Sequence, residues 1–186
     1  MSARPNARTP DRLAAALVVL VMTAATACAT SSPMTQVLIV RHAEKAADGT
    51  RDPELSDLGR ARAAALAAVL RDAAIDAVYA TPYQRTQATA RPFADARRLS
   101  VEVVDAGAID ALVADIRARH RGRRVLVVAH SNTVPEIVQA LGGDRIDEID
   151  EGTFDDLYVV TVPDHGPTTV LHLKYATPAP TAPGQP

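Results

Sequence analysis

Three short stretches of this sequence end an apolar run on a cation or an imidazole. "VLIV" at 37–40 runs straight into Arg41-His42, with Glu44 close behind. "AVYA" at 77–80 is followed by "TPYQRT", which carries Arg85, and "VLVVA" at 125–129 by His130 in "AHSNT". A guanidinium offers a rigid, permanently charged fork of donors that fits the oxygens of phosphate or carboxylate. Neutral imidazole is a nucleophile near pH 7, because its ordinary pKa of about 6.5 leaves much of it unprotonated. Two groups of each kind, beside helix N-termini, suit a dianion such as phosphate. Singly, each has a plainer explanation: an Arg at a helix start is usually a surface charge, and a His at a strand end is usually bonded to backbone. Three such junctions in one chain are harder to explain that way.

The elements that must position these groups can be read from periodicity. Apolar, β-rich runs at Val37–Val40, Ala77–Ala80, Val101–Val104 and Val125–Ala129 alternate with helical patterns near Asp57–Arg71, Tyr83–Ala96, Ile109–Arg119 and Thr133–Leu141. Ile109, Leu112, Val113 and Ile116 follow the i, i+3, i+4, i+7 spacing of a helix face. Ser56 is placed to cap the first helix. This alternation predicts an α/β fold, a three-layer sandwich with a mainly parallel central sheet flanked by helices. "DLYVVTVP" and "TTVLHLKY", joined by Asp164-His165-Gly166-Pro167, predict a C-terminal hairpin. Parallel strands end on one edge of the sheet, where open α/β sheets bind their ligands. Arg41, His42, Arg85 and His130 are therefore expected to meet there.

The chain has 186 residues, 47% of them hydrophobic, and a net charge of −2. That is enough for one closed core, and neither an internal repeat nor a second composition block suggests another domain. Residues 1–27 have the pattern of an export signal: Arg4, Arg8 and Arg12, an apolar run from Leu13 to Val21, then Ala24-Ala25-Thr26-Ala27. The threonines from Thr23 onward leave the run short of the roughly 20 residues of a membrane span. Cys28 is the only cysteine, so a monomer can form no internal disulfide. Its position suggests a lipoprotein cleavage site and attachment to a membrane by a lipid, the alternative being a plain cleaved leader. Residues 28–35 then form a tether, 36–176 the folded domain, and 177–186 a disordered Pro-rich tail. Periplasmic or cell-envelope localisation is expected. Without the leader, which holds three Arg and one Asp, the chain is more acidic still. That argues against a nucleic-acid partner and for a small anion held by a few focused charges.

"LIVRHAEK", "TPYQRTQATA" and "VLVVAHSNTVP" resemble, in order and spacing, the histidine phosphatase superfamily, also called phosphoglycerate mutase-like. "DPELSDLGRARAAALA" is similar to that family's first helix. The resemblance runs from about Gln36 to Lys174, and in length the chain is similar to the short bacterial phosphohistidine-phosphatase members. It implies a phosphatase acting on phosphomonoesters or phosphoramidates, with His42 as the transiently phosphorylated nucleophile. Arg41, Arg85 and His130 would form the phosphate pocket, and no metal or other cofactor is implied. There are two departures. Ala43 stands where glycine is commonest, which matters only if the backbone there needs positive φ. The proton donor, a carboxylate after the third strand in members with a clear one, has Asp105 and Asp110 as candidates. Asp110 can equally complement a helix dipole, so the acid stays unassigned.

Two other classes compete. A metal-dependent hydrolase would use His42, Glu44, Asp48 and His130, although the paired cysteines of the zinc deaminase motif are absent. No Gly-x-Ser-x-Gly supports a serine hydrolase. A non-catalytic envelope module could bind phosphate, but binding alone needs no nucleophile. "RARHRGRR" at 117–124 is expected at the opposite edge of the sheet, complementing a helix C-terminus or touching anionic lipid or polysaccharide. His165 and His172 read as structural, and Lys45 and Asp48 as residues of the cleft mouth. If the leader is cleaved, mass spectrometry should find a mature N-terminus at or near Cys28, with or without a diacylglyceryl group. An intact Met1 on membrane-embedded protein would make the leader a permanent anchor.

Overall fold

The computed structural model describes residues 33–175. The expected export signal, Cys28 and the Pro-rich tail lie outside these residues. Strand β1 (Met34–Arg41) is followed by helix α1 (Asp57–Val69), β2 (Ala77–Ala80), α2 (Gln84–Arg97), β3 (Val101–Val103), α3 (Ile109–Arg119), β4 (Arg124–Ala129) and α4 (Thr133–Ala140). Strands β5 (Asp156–Pro163) and β6 (Thr169–Lys174) complete the chain order. The sheet runs β3-β2-β4-β1-β5-β6. The first four strands are mutually parallel, while β5 lies antiparallel to β1 and β6 antiparallel to β5. The α/β class, the mainly parallel sheet and the C-terminal hairpin are as the sequence predicts.

Side chains alternate across the sheet and build two cores. Val37, Ile39, Val125 and Val127 pack with Leu112 and Ile116 of α3 and Ile137 of α4. Leu38, Val40, Leu126 and Val128 pack with Leu66 of α1 and Phe93 of α2. Strands apolar on both faces can be buried only between two helical layers, and that is the three-layer sandwich. Strand β1 starts at Met34, inside the stretch expected to be tether. The cause is pairing: Met34 and Thr35 oppose Pro163 and Val162, and the Thr35 hydroxyl accepts from Gly122 N at 3.0 Å.

The basic run 117–124 lies at the start of β4, away from the strand exits. Its charges are used within the fold. Arg119 pairs with Glu102 and Asp115, Arg121 with Asp164, and Arg123 with Asp76. His172 bonds Asp156 at 2.6 Å and stacks on Tyr158 at 4.4 Å.

The connection from β1 to α1 is fastened at several points. Ala46 N donates to Glu54 O at 2.8 Å, Ser56 N to Glu44 O at 2.9 Å, and the Ser56 side chain caps α1 by accepting from Gly59 N at 3.1 Å. Helix α1 rests so closely on this loop that a Cβ on Gly59 would lie 2.1 Å from Glu44 O. Alanine is intrinsically the better helix former, yet Gly59→Ala should cost about 1–3 kcal/mol by overpacking. Denaturant unfolding checks this, and a neutral or stabilising result would contradict the contact.

Candidate active site

The register of β1 on β4 decides which side chains meet. Arg41 opposes Ala129, and His42 N donates to Ala129 O at 2.9 Å. The next residues, His42 and His130, consequently sit side by side with ring centroids 5.4 Å apart. Arg85 joins them from the first turn of α2. Together with Lys45, Tyr83, Ser131, Asn132 and Glu151, these four line a cavity of about 300 Å³. A larger depression of about 590 Å³ lies between α1 and α2, around Leu55, Ala63, Ala88 and Pro92, but it holds none of the four. The predicted convergence is present.

Each cation is fixed by its neighbours. The Arg41 side chain is 3% exposed. Its Nη1 donates to the carbonyls of Asp150 at 2.7 Å and Thr153 at 3.1 Å, and its Nη2 to Glu151 at 2.9 Å. The guanidinium also lies 4.3 Å over the Phe154 ring. Arg85 stacks on Tyr83 at 4.2 Å, with Asp52 3.5 Å from Nη1. The Nε–H of each arginine is buried and has no partner among the described residues. Buried donors of this kind are normally satisfied, but the site holds two arginine donors unpaired among the described residues.

His42 has its tautomer set by the backbone. Its Nδ1 lies 2.7 Å from Ala43 O, and a carbonyl only accepts, so Nδ1 carries the proton and Nε2 keeps the lone pair. Burial, followed by repulsion from His130 when it is protonated and from Arg85 and Arg41, lowers the His42 pKa to about 3. Burial and the two arginines lower that of His130 to about 4. Both rings are neutral at pH 7. His130 Nε2 lies 3.0 Å from the Thr81 hydroxyl, which meets Thr86 at 2.8 Å. Ala43 is fully buried, does not adopt positive φ, and donates from its N to Thr89 Oγ1 at 2.9 Å. The missing glycine therefore carries no penalty here.

The profile of the histidine phosphatase superfamily (branch 1) matches residues 37–106. The protein histidine phosphatase SixA, solved in complex with tungstate, superposes with a TM-score of 0.63 at 25% identity, covering 75% of this chain and 96% of its own. Residues 37–106 thus match the histidine phosphatase superfamily, and the described residues share the fold of SixA. Phosphoserine phosphatase 1 of Hydrogenobacter thermophilus is 36% identical over 74 residues, or 37% of this chain. That match spans 35% of the relative's length. Mycobacterial glucosyl-3-phosphoglycerate phosphatase shares the fold, with a TM-score of 0.54 at 19% identity over 69% of this chain and 90% of its own.

Other expected site residues are distributed unevenly. Lys45 reaches the cavity as expected, whereas Asp48 accepts from Thr50 N and Oγ1 in its own exposed turn. Glu44 does not line it, because Arg62 grips its carboxylate at 2.6 and 2.9 Å. The donors of the metal-hydrolase alternative are thus drawn apart: Glu44 faces α1 and Asp48 its own turn. Asp105 and Asp110 also lie outside the cavity lining, which takes Ala106 from that loop. Tyr83, Ser131, Glu151 and Phe154 join the site without being singled out by the sequence. For Glu151 and Phe154 the available signal is the connection at 142–155, since ordered irregular segments of that length are usually functional.

The neutral histidines make stability depend on pH. In the unfolded chain each takes up a proton near pH 6.5, whereas the folded site resists protonation to about 3 for His42 and 4 for His130. As pH falls below 6.5 the unfolded state binds more protons, so stability falls. The melting temperature should drop between pH 7 and 5.5, above the range where unfolded carboxylates titrate, and the slope should shrink in His42→Asn/His130→Asn. An unchanged slope would show that these imidazoles are not held neutral.

Proposed function

We propose that the protein is a phosphatase that hydrolyses phosphomonoesters or phosphoramidates through a phosphohistidine on His42. The tautomer of His42 carries this reading. A neutral imidazole with its Nδ1–H on a carbonyl presents Nε2 as a nucleophile and cannot rotate away without breaking that bond. Arg41, Arg85 and His130 surround it, and phosphoryl transfer needs alignment and charge neutralisation more than elaborate covalent machinery. The lone pair of Nε2 bonds to phosphorus as the leaving oxygen or nitrogen departs. Water then attacks phosphorus, and the electron pair of the N–P bond returns to Nε2.

The relatives support this substrate class. One is a phosphoserine phosphatase and one a protein histidine phosphatase bound to tungstate, a tetrahedral oxyanion. Export remains part of the proposal on the Arg-rich, apolar leader and Cys28. It would direct the enzyme to envelope substrates such as phosphorylated sugars of surface polysaccharide.

Rapid quenching during turnover should trap phosphate on His42 in an acid-labile, alkali-stable bond. His42→Ala should abolish label and activity, while His130→Ala should slow turnover without moving the label. Arg85→Ala should weaken vanadate inhibition by about 1.5–3 kcal/mol per charge-assisted bond lost. Full activity in His42→Ala, or a label on another residue, would refute the mechanism.

A further inference from the structure

Transfer to His42 leaves an electron pair on the departing oxygen, and a poor leaving group needs a proton there. Asp105 and Asp110 are absent from the cavity lining, but one carboxylate is part of it: Glu151. Its Oε2 lies 2.9 Å from Arg41 Nη2, and its Oε1 accepts from Ser131 Oγ at 3.2 Å. The placement is unusual for a simple counter-ion. Arg41 is 3% exposed, while the Glu151 side chain bonded to it is 78% exposed. The backbone on either side is pinned, because Asp150 O and Thr153 O accept from Arg41 Nη1 and Phe154 packs under the guanidinium. Phe154 in turn lies 6.2 Å from the His42 ring, centroid to centroid. A fixed backbone thus carries a solvent-accessible carboxylate that can pivot between Arg41 and a bound substrate.

We propose that Glu151 is the catalytic proton donor to the leaving group, an assignment that rests on the phosphohistidine reading above. In the empty site the carboxylate is ionised, with Arg41 the main cause of a lowered pKa. A phosphoryl dianion entering beside Arg41 competes for that guanidinium and adds negative charge, and both effects favour proton uptake by Glu151 from solvent. As Nε2 of His42 bonds to phosphorus, the P–O bond to the leaving group breaks. Its electron pair stays on oxygen, which takes the Glu151 proton and departs as an alcohol. In the second step the Glu151 carboxylate accepts a proton from the attacking water, the N–P bond breaks, and phosphate leaves. Charge and protons balance over the cycle, and no co-reactant besides water is needed.

The test compares the full chain with Glu151→Gln on two esters, an aryl phosphate whose phenol is acidic and a simple alkyl phosphate. Glutamine can still accept from Arg41 and Ser131, so the loop keeps its contacts. For the alkyl ester kcat/KM should fall about 100-fold or more, the usual scale of lost general acid catalysis. For the aryl ester it should stay within about threefold, and phosphate should accumulate on His42 because the proton acceptor for hydrolysis is gone. An equal change on both esters would overturn the assignment and leave Glu151 a structural residue. Tighter phosphate inhibition with no leaving-group selectivity would overturn it in favour of a counter-ion. Absence of turnover and of label in the unmodified chain would instead refute the phosphatase reading, and this assignment with it.

Discussion

A guanidinium cannot be buried at the end of a strand without acceptors, and Arg41 is such a guanidinium. Two carbonyls, one carboxylate and one aromatic face, all from residues 150–154, gather around it. Arg41 therefore organises the segment between α4 and β5, which contains no regular element of its own. The same strand end delivers His42, so the requirement that shapes this loop also brings it to the His42 imidazole. The wall of the cavity follows from the burial of one charge.

Electrostatics then sort the groups inside. Two fixed cations and a desolvated setting make protonation of either imidazole unfavourable, so the positive charge stays on the arginines and the imidazoles keep their lone pairs. Were the rings exposed, part of each would be protonated near neutrality and the lone pair of His42 partly lost. Burial, which lowers the pKa of His42 most, does as much for its chemistry as the neighbouring charges. The orphaned Nε–H groups of Arg41 and Arg85 show the cost of holding such a site ready.

What could be read from the sequence divides along physical lines. Strands and helices were legible because burial on two faces imposes periodicity, and the strand exits were legible because parallel strands share an edge. Arg41, His42, Arg85 and His130 can thus be placed together from the sequence alone. Glu151 and Phe154 cannot. They belong to a connection without periodicity, and their position depends on a bond from a side chain 110 positions earlier in the chain. The fate of Glu44 was hidden for a similar reason: only packing of α1 shows that Arg62 claims it. The early start of β1 escaped because Met34 and Thr35 are ordered by their partners, not by an apolar pattern.

The close seat of α1 on the loop after His42 has a consequence for how variation can accumulate. Gly59 touches the backbone of Glu44, the Glu44 side chain holds Arg62, and His42 lies two residues before Glu44. A larger residue at 59 must displace residue 44, which in turn strains the ion pair and shifts the strand exit. Residues in such mutual contact show interaction energies that do not sum from single changes. Positions 44, 59 and 62 thus form an epistatic unit, in which a change tolerated at one site is conditional on the other two. The peptide next to His42 can drift only as that unit drifts.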